Sequence, residues 1–94
     1  MRESKVEKAI SQYAWHYKVA NYKFTSPGSI GVPDRVFISK RGTFFIEFKA
    51  PGRTLDPAQI SRVKEMRQAG AIIFVVDDIA FGKRVVDGYT VFQD

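Results

Sequence analysis

The sequence contains no cysteine and only one histidine among its 94 residues. Without cysteine the chain can form neither a disulfide framework nor a thiolate metal site, and a single histidine argues against a zinc site. No apolar stretch approaches the length of a membrane span, and the first residues lack the apolar core of a signal peptide. We therefore expect an intracellular protein that has no membrane partner.

Repeats, linkers and low-complexity segments are also missing, so residues 1–94 are expected to form one small domain. Apolar residues make up 45% of the chain, and eight Phe, four Tyr and one Trp supply much of the bulk of a single core. Fifteen Lys and Arg stand against ten acids, a formal charge of +5. This excess indicates a polyanionic partner, most simply nucleic acid, although a basic protein without such a partner has the same composition.

The most informative stretch, residues 31–49, is predicted to form a strand, a tight turn and a second strand. Glu47 and Lys49 are two residues apart in the second strand, so their side chains point to the same face of the sheet. The apolar residues of this strand point to the opposite face, and they are Phe44, Ile46 and Phe48. The second strand is therefore expected to be charged on one face and apolar on the other.

The position of Asp34 follows from the possible turns between the two strands. A two-residue turn at Lys40-Arg41 places Asp34 opposite Glu47, and a turn at Arg41-Gly42 places it opposite Lys49. Both registers bring Asp34 onto the face that carries Glu47 and Lys49. A three-residue turn would place Asp34 on the other face unless a bulge intervened. The sequence thus predicts two carboxylates and a lysine clustered on one side of a hairpin.

Such a cluster suits a metal site. Two carboxylates held close together repel each other unless one is protonated or a cation bridges them. Oxygen ligands suit a hard divalent cation, Mg²⁺ or Mn²⁺, and Lys49 beside them can stabilise charge on a phosphate or orient a water molecule. The alternative for Glu47 and Lys49 alone is an ordinary salt bridge on a surface strand. The placement of Asp34 favours the metal site.

Three segments of the chain form a specific combination. They are Gly31-Val32-Pro33-Asp34-Arg35, then Phe45-Ile46-Glu47-Phe48-Lys49-Ala50-Pro51-Gly52, then Gln59. This combination resembles the virus-type replication-repair nuclease (VRR-NUC) domain, a branch of the PD-(D/E)XK nuclease superfamily, from Glu7 to about Val76. The resemblance implies an α/β fold of the restriction-endonuclease type, with a mixed β-sheet, flanking helices and the core order αβββαβ. It also implies a metal-dependent phosphodiesterase.

The resemblance further implies a role for each site residue. Asp34 and Glu47 hold Mg²⁺ or Mn²⁺, together with the backbone carbonyl of Phe48. Lys49 positions the attacking water or stabilises the transition state, and Gln59 reaches the site from the helix behind the hairpin. An acid on the first helix completes the metal site; Glu7 and Glu3 both fit the pattern, and we prefer Glu7. For this acid the alternative is a carboxylate favoured at a helix start by the helix dipole, and for Gln59 it is a hydrogen bond to the backbone at the edge of the core.

Two helices are predicted from periodicity and capping. The first covers residues 2–17, and its apolar stripe is Val6, Ile10, Tyr13 and Tyr17. The second begins with Asp56 as N-cap and Pro57 at its first position, and it ends near residue 69. The residues of this second helix that are expected to face inward are Gln59, Ile60, Val63 and Met66.

The strands are expected over residues 19–25, 35–39, 43–49 and 71–76. The strand–helix–strand unit over residues 44–76 predicts a parallel pair of strands. Residues 79–86 are ambiguous between one helical turn and a loop, and residues 89–92 are expected to form a short strand.

Several residues near the hairpin are candidate contacts for nucleic acid, and they are Lys23, Ser26, Gly28, Arg35 and Arg53. Lys23 lies on the polar face of the first strand, where an ordinary exposed lysine is the alternative. The small residues of the loop over residues 26–31 would allow a nucleic-acid backbone to approach closely, although they also suit a plain turn. His16 falls off the apolar stripe and is expected to face solvent or DNA.

These observations predict a Mg²⁺- or Mn²⁺-dependent DNA endonuclease. Stand-alone members of the resembled family are similar to junction resolvases that act as symmetric dimers, which suggests a homodimer that cleaves branched DNA such as four-way (Holliday) junctions. The resemblance also suggests a phage origin and hence the cytoplasm of a bacterial host. The alternatives are a basic nucleic-acid-binding module without chemistry and an accessory protein of replication or repair.

Overall fold

The computed structural model describes residues 1–91, and it contains three helices and four strands. Their bounds are α1 Glu3–His16, β1 Ala20–Lys23, β2 Arg35–Ser39, β3 Gly42–Phe48, α2 Pro57–Gln68, β4 Ile73–Val76 and α3 Ile79–Asp87. The predicted order αβββαβ is confirmed, and a third helix follows it. No helix within residues 1–91 is long and apolar enough to cross a membrane.

The strands form one mixed sheet in the order β1-β2-β3-β4. The first three strands are antiparallel neighbours, and β4 pairs in parallel with β3 because α2 carries the chain back across the sheet. Ser39 pairs with Gly42, and Arg35 pairs with Ile46. The two-residue turn at Lys40-Arg41 is therefore the one that the chain uses, and this register leaves Asp34 beside Glu47.

One side of the sheet carries the apolar core beneath α1 and α3. Phe37, Phe44 and Phe48 are fully buried there, and the rings of Phe37 and Phe44 stack with centroids 5.0 Å apart. The two helices approach closely at Gly82, where a Cβ atom would lie 2.6 Å from Cδ1 of Ile10. The close packing of α1 against α3 therefore requires a residue without a side chain at position 82.

The C-terminal region differs from the prediction. Residues 79–86 belong to a nine-residue helix rather than to a single turn, because the side chain of Asp78 accepts hydrogen bonds from the backbone amides of Ala80 and Phe81 and so caps the helix. The short strand expected over residues 89–92 is wrong for its first three residues, which form a turn and coil after α3. Phe92 lies outside the described residues.

Two other predictions about side-chain direction need correction. Ile60 is 54% exposed and does not face inward. On a helical wheel it lies roughly 100° from Gln59, and the inward direction of α2 is set by Gln59 and Val63. The polar face of β1 is turned towards α1, where the Asn21 side chain is buried and donates to the carbonyl oxygens of Ser11 and Val19.

Candidate active site

Three carboxylates come together at one end of the sheet. Asp34 immediately precedes β2, Glu47 lies near the end of β3, and Glu3 is the first residue of α1. Each of them offers a carboxylate oxygen, and these atoms lie within 4.8 Å of one another. The backbone N–H of Phe48 donates to Oδ2 of Asp34 over 2.8 Å, which fixes that carboxylate against the neighbouring strand.

The environment of this acidic group makes full ionisation costly. Burial, and then the charge of Asp34, raise the pKa of Glu47 to about 7 although Lys49 acts in the opposite direction. Burial also raises the pKa of Asp34 above its ordinary value, against the favourable hydrogen bond from Phe48. At neutral pH the group therefore favours either a shared proton or a bound cation.

Lys49 and Gln59 border the carboxylates from the side of α2. The Lys49 ammonium is 3.5 Å from Oε2 of Glu47 and donates to Oε1 of Gln59 over 2.8 Å. The amide nitrogen of Gln59 donates to the same Oε2 of Glu47 over 2.9 Å. Gln59 thus touches Glu47 in β3 and Lys49 directly after this strand, and two hydrogen bonds and one ion pair join the three side chains.

The start of α2 fixes the position of Gln59. The Asp56 side chain accepts from the Gln59 backbone N–H over 2.9 Å, and Oε1 of Gln59 accepts from the Asp56 backbone N–H over 3.0 Å. This reciprocal pair is a capping box, which satisfies two backbone donors that the helix leaves unpaired. The same Gln59 oxygen also receives the Lys49 ammonium, so the cap orients the side chain that contacts the site.

The loop before Asp34 is docked on the same turn of α2. Gly31 has a φ of +83°, and a Cβ atom at this position would lie 2.6 Å from the carbonyl oxygen of Ala58. Arg62 strengthens the contact by donating to the carbonyl oxygen of Ile30 over 3.0 Å. From the sequence Gly31 is only part of a loop motif; the glycine three residues before Asp34 is the signal that could have indicated this close approach.

Glu7, the preferred acid of the first helix, lies outside the acidic group that the structure brings together. Its Oε2 accepts from Nε of Arg35 over 2.8 Å and from Nζ of Lys23 over 2.7 Å. Glu3 stands with Asp34 and Glu47 instead. Both acids fitted the sequence pattern, and the contacts within the folded chain show which of the two lies with the other carboxylates.

The remaining predicted residues do not belong to the acidic group. Lys23 and Arg35 are engaged by Glu7. Ser26 and Gly28 belong to the loop between β1 and β2, and Arg53 is exposed in the loop between β3 and α2. His16 is exposed at the end of α1, and its ring lies against that of Tyr17. The contacts of Ser26, Gly28 and Arg53 with nucleic acid, and the Phe48 carbonyl as a metal ligand, remain predictions.

The donor set of the acidic group fits a hard divalent cation. All of its donors are carboxylate oxygens, and they come from Glu3, Asp34 and Glu47. Carboxylates without soft ligands are the set that Mg²⁺, Mn²⁺ or Ca²⁺ prefers. A bound cation would also offset the burial and the repulsion from Asp34 that together raise the pKa of Glu47.

Comparisons with known proteins bear on the family and the fold. No family model matches the sequence. A phage protein named "Putative nuclease p44", from Acyrthosiphon pisum secondary endosymbiont phage 1, is 35% identical over 78 residues, which are 82% of this chain and 84% of the relative. A solved VRR_NUC domain superimposes with a TM-score of 0.82 at 27% identity and covers 93% of this chain and 96% of its own.

A second solved VRR_NUC domain protein, at 17% identity and a TM-score of 0.75, shares the fold over 95% of this chain and 88% of its own. The mixed four-stranded sheet with flanking helices defines the class, a PD-(D/E)XK-like α/β domain. The chain belongs to the VRR_NUC family.

Proposed function

We propose that this protein is a Mg²⁺- or Mn²⁺-dependent DNA endonuclease. The observation that carries the proposal is the group of three carboxylates, Glu3, Asp34 and Glu47, beside a lysine that Gln59 holds in place. The name of the phage relative supports a nuclease. The formal charge of +5 supports a polyanionic substrate.

In this proposal Glu3, Asp34 and Glu47 hold the divalent ion. When bound, such an ion stabilises developing charge on a phosphate and makes a water nucleophilic near neutral pH. Buried Glu47 and half-buried Asp34 would supply the negative charge that attracts the ion, and the hydrogen bond from the Phe48 N–H fixes the Asp34 carboxylate for this role.

The proposed role of Lys49 follows from its fixed position. Its ammonium lies next to Glu47 and is oriented by Gln59, so it can donate to the attacking water or to a phosphate oxygen that gains negative charge in the transition state. Because Gln59 is locked by the capping box of α2, the lysine needs little rearrangement at the moment of reaction, which is the condition for efficient electrostatic catalysis.

We further propose that the active form is a homodimer and that it acts on branched DNA, with four-way junctions as the first candidate. Two active sites related by a twofold axis match the symmetry of a junction that is cut on two strands. The phage relative supports a phage gene and, with it, action inside a bacterial host.

A second function rests on charge alone. The excess of five positive charges would also suit a nucleic-acid-binding module that performs no chemistry. Such a module would bind DNA in a salt-dependent manner and would not need Lys49, Glu47 and Gln59 to contact one another.

The test is cleavage of labelled four-way junction, flap, duplex and single-stranded DNA in Mg²⁺, in Mn²⁺ and in EDTA, with Lys49→Ala prepared in parallel to detect a contaminating nuclease. We expect cleavage that needs metal and disappears in the variant, with symmetric incisions in the junction. Binding of DNA without cleavage in either metal would favour the binding module. Light scattering of the free protein tests the dimer.

A further inference from the structure

Glu7 lies next to the acidic group but has different partners. One of its oxygens, Oε2, receives both Nζ of Lys23 over 2.7 Å and Nε of Arg35 over 2.8 Å. The Glu7 side chain is only 14% exposed. A carboxylate that already accepts two cations at short distance has little negative charge left to attract a metal ion.

The two cations belong to neighbouring strands. Lys23 and Arg35 are directly opposite each other in the β1–β2 pair, and like charges in that position repel. Glu7 relieves this repulsion because it lies within hydrogen-bond distance of both. The three groups together keep one net positive charge.

Each cation is held to a different degree. Arg35 is fixed on two sides, since its Nη1 also donates to the Asn21 side chain, and it is 20% exposed. Lys23 is 62% exposed and has the freedom to contact a ligand. Lys23 pairs with Arg35, which follows Asp34 directly in the chain, so the exposed Lys23 lies near the carboxylates.

We propose that Glu7 is a positioning residue rather than a metal ligand: it holds Lys23 where that lysine contacts a phosphate of the substrate strand beside the acidic group. The inference rests on the proposed nuclease function and gives it a phosphate contact next to the metal site. Arg35, which also binds Asn21, keeps the Glu7 carboxylate in place for this role.

Two binding measurements that need no cleavage test this assignment. In Mn²⁺ titrations without DNA, Glu7→Gln is expected to bind the ion within about twofold of the wild type, whereas Glu3→Gln loses most of its affinity. In metal-free DNA binding across a range of salt, Lys23→Met should reduce the slope of log affinity against log salt by about 1, as expected for one lost phosphate contact. The control is Lys40→Met, which removes the same charge at the far end of the hairpin and should leave the slope closer to the wild type.

Single-turnover cleavage then separates positioning from binding. Glu7→Gln adds a net positive charge and should bind DNA no more weakly than the wild type, yet its rate at saturating enzyme should fall about tenfold because Lys23 is no longer held in place. The double variant Glu7→Gln/Lys23→Met should be no slower than the slower single variant, because both changes remove the same contact.

Two results would overturn the inference. Loss of Mn²⁺ binding in Glu7→Gln to the extent seen in Glu3→Gln would make Glu7 a metal ligand. An unchanged salt slope in Lys23→Met would remove the phosphate contact, and this result counts even if Glu7→Gln fails to fold, since Lys23 is exposed. If the wild-type protein cleaves nothing, the nuclease proposal fails, while the Mn²⁺ and salt measurements still decide the role of Glu7.

Discussion

The two sides of the sheet are held together in different ways. On one side α1 and α3 cover a core of fully buried apolar residues, with Phe37, Phe44 and Phe48 at its centre. On the other side α2 has a single buried residue, Val63, and hydrogen bonds from Gln59, Arg62 and Arg67 connect the helix to the rest of the chain. The apolar side stabilises the fold, and the α2 side holds the charged groups that would carry out chemistry.

The buried charge on the α2 side lowers the stability of the fold. Glu47 is 2% exposed, and its raised pKa shows that burial disfavours the ionised carboxylate. A fold selected for stability alone would have no reason to bury a carboxylate beside Asp34. The contrast therefore predicts that changes on the α2 side alter activity more than stability, and that changes on the apolar side do the reverse.

The largest expected effect is that of Lys49→Ala on cleavage. We expect a loss on the order of 100-fold or more, because the donor aimed at the reacting phosphate or water is removed. The melting temperature should change much less than the rate, since within residues 1–91 the polar partners of the Lys49 ammonium are Glu47 and Gln59, both on the α2 side. Single-turnover rates test the first statement and thermal unfolding tests the second. A fully active variant would rule out the catalytic role proposed for Lys49.

Gly82→Ala tests the apolar side. The new Cβ would lie 2.6 Å from two side-chain atoms of the fully buried Ile10, so we expect a loss of about 1–3 kcal/mol in the free energy of unfolding. Denaturant unfolding measures it. Mn²⁺ affinity below the melting transition should stay unchanged. The control is Gly28→Ala, where a Cβ would have no atom within 4 Å; equal losses in both variants would contradict the packing argument.

Glu47→Gln should stabilise the metal-free protein at pH 8. The folded pKa of Glu47, about 7, lies above the ordinary glutamate value of 4.5, so the native state binds the proton more tightly and wild-type stability falls as the pH rises between these values. The neutral amide avoids this penalty, and we expect a gain of at most about 3 kcal/mol at pH 8. Below pH 4.5 the gain should vanish, because Glu47 is then protonated in both states. A variant less stable than the wild type at pH 8 would contradict the account.

Gly31→Ala should have the smallest of these effects. The substitution forces the loop before Asp34 away from the Ala58 carbonyl, and alanine is also strained at a φ of +83°. We expect cleavage to slow by about tenfold through displacement of Asp34. Gly28→Ala in the same loop again serves as the matched control, and a Gly31→Ala variant with wild-type rates would show that the docking of this loop does not position the site.

The hairpin and the start of α2 could be predicted because their signals are local. Turn length alone decides the face of Asp34, and the Asp56-Pro57 pair defines a helix start. The helical wheel directs the side chain of Gln59 inward, and the family resemblance implied that it reaches the site, where it contacts Lys49.

The rest depends on contacts between distant parts of the chain. Glu3 and Glu7 are four residues apart on the same helix, so periodicity alone does not say which of them approaches Asp34. Lys23 and Arg35, which lie on β1 and β2, bind Glu7. Glu3 is therefore the acid that lies with Asp34 and Glu47. The third helix was only ambiguous from the sequence over residues 79–86, and in the structure the Asp78 side chain caps its start.

The most direct measurement is a calorimetric titration of Mn²⁺ into the wild-type protein and Glu47→Gln at pH 8. The account predicts that the wild type binds the ion and that the variant, folded and more stable without metal, does not bind it at the same concentrations. Equal binding by the two proteins would contradict the claim that the carboxylates on the α2 side of the sheet form a metal site.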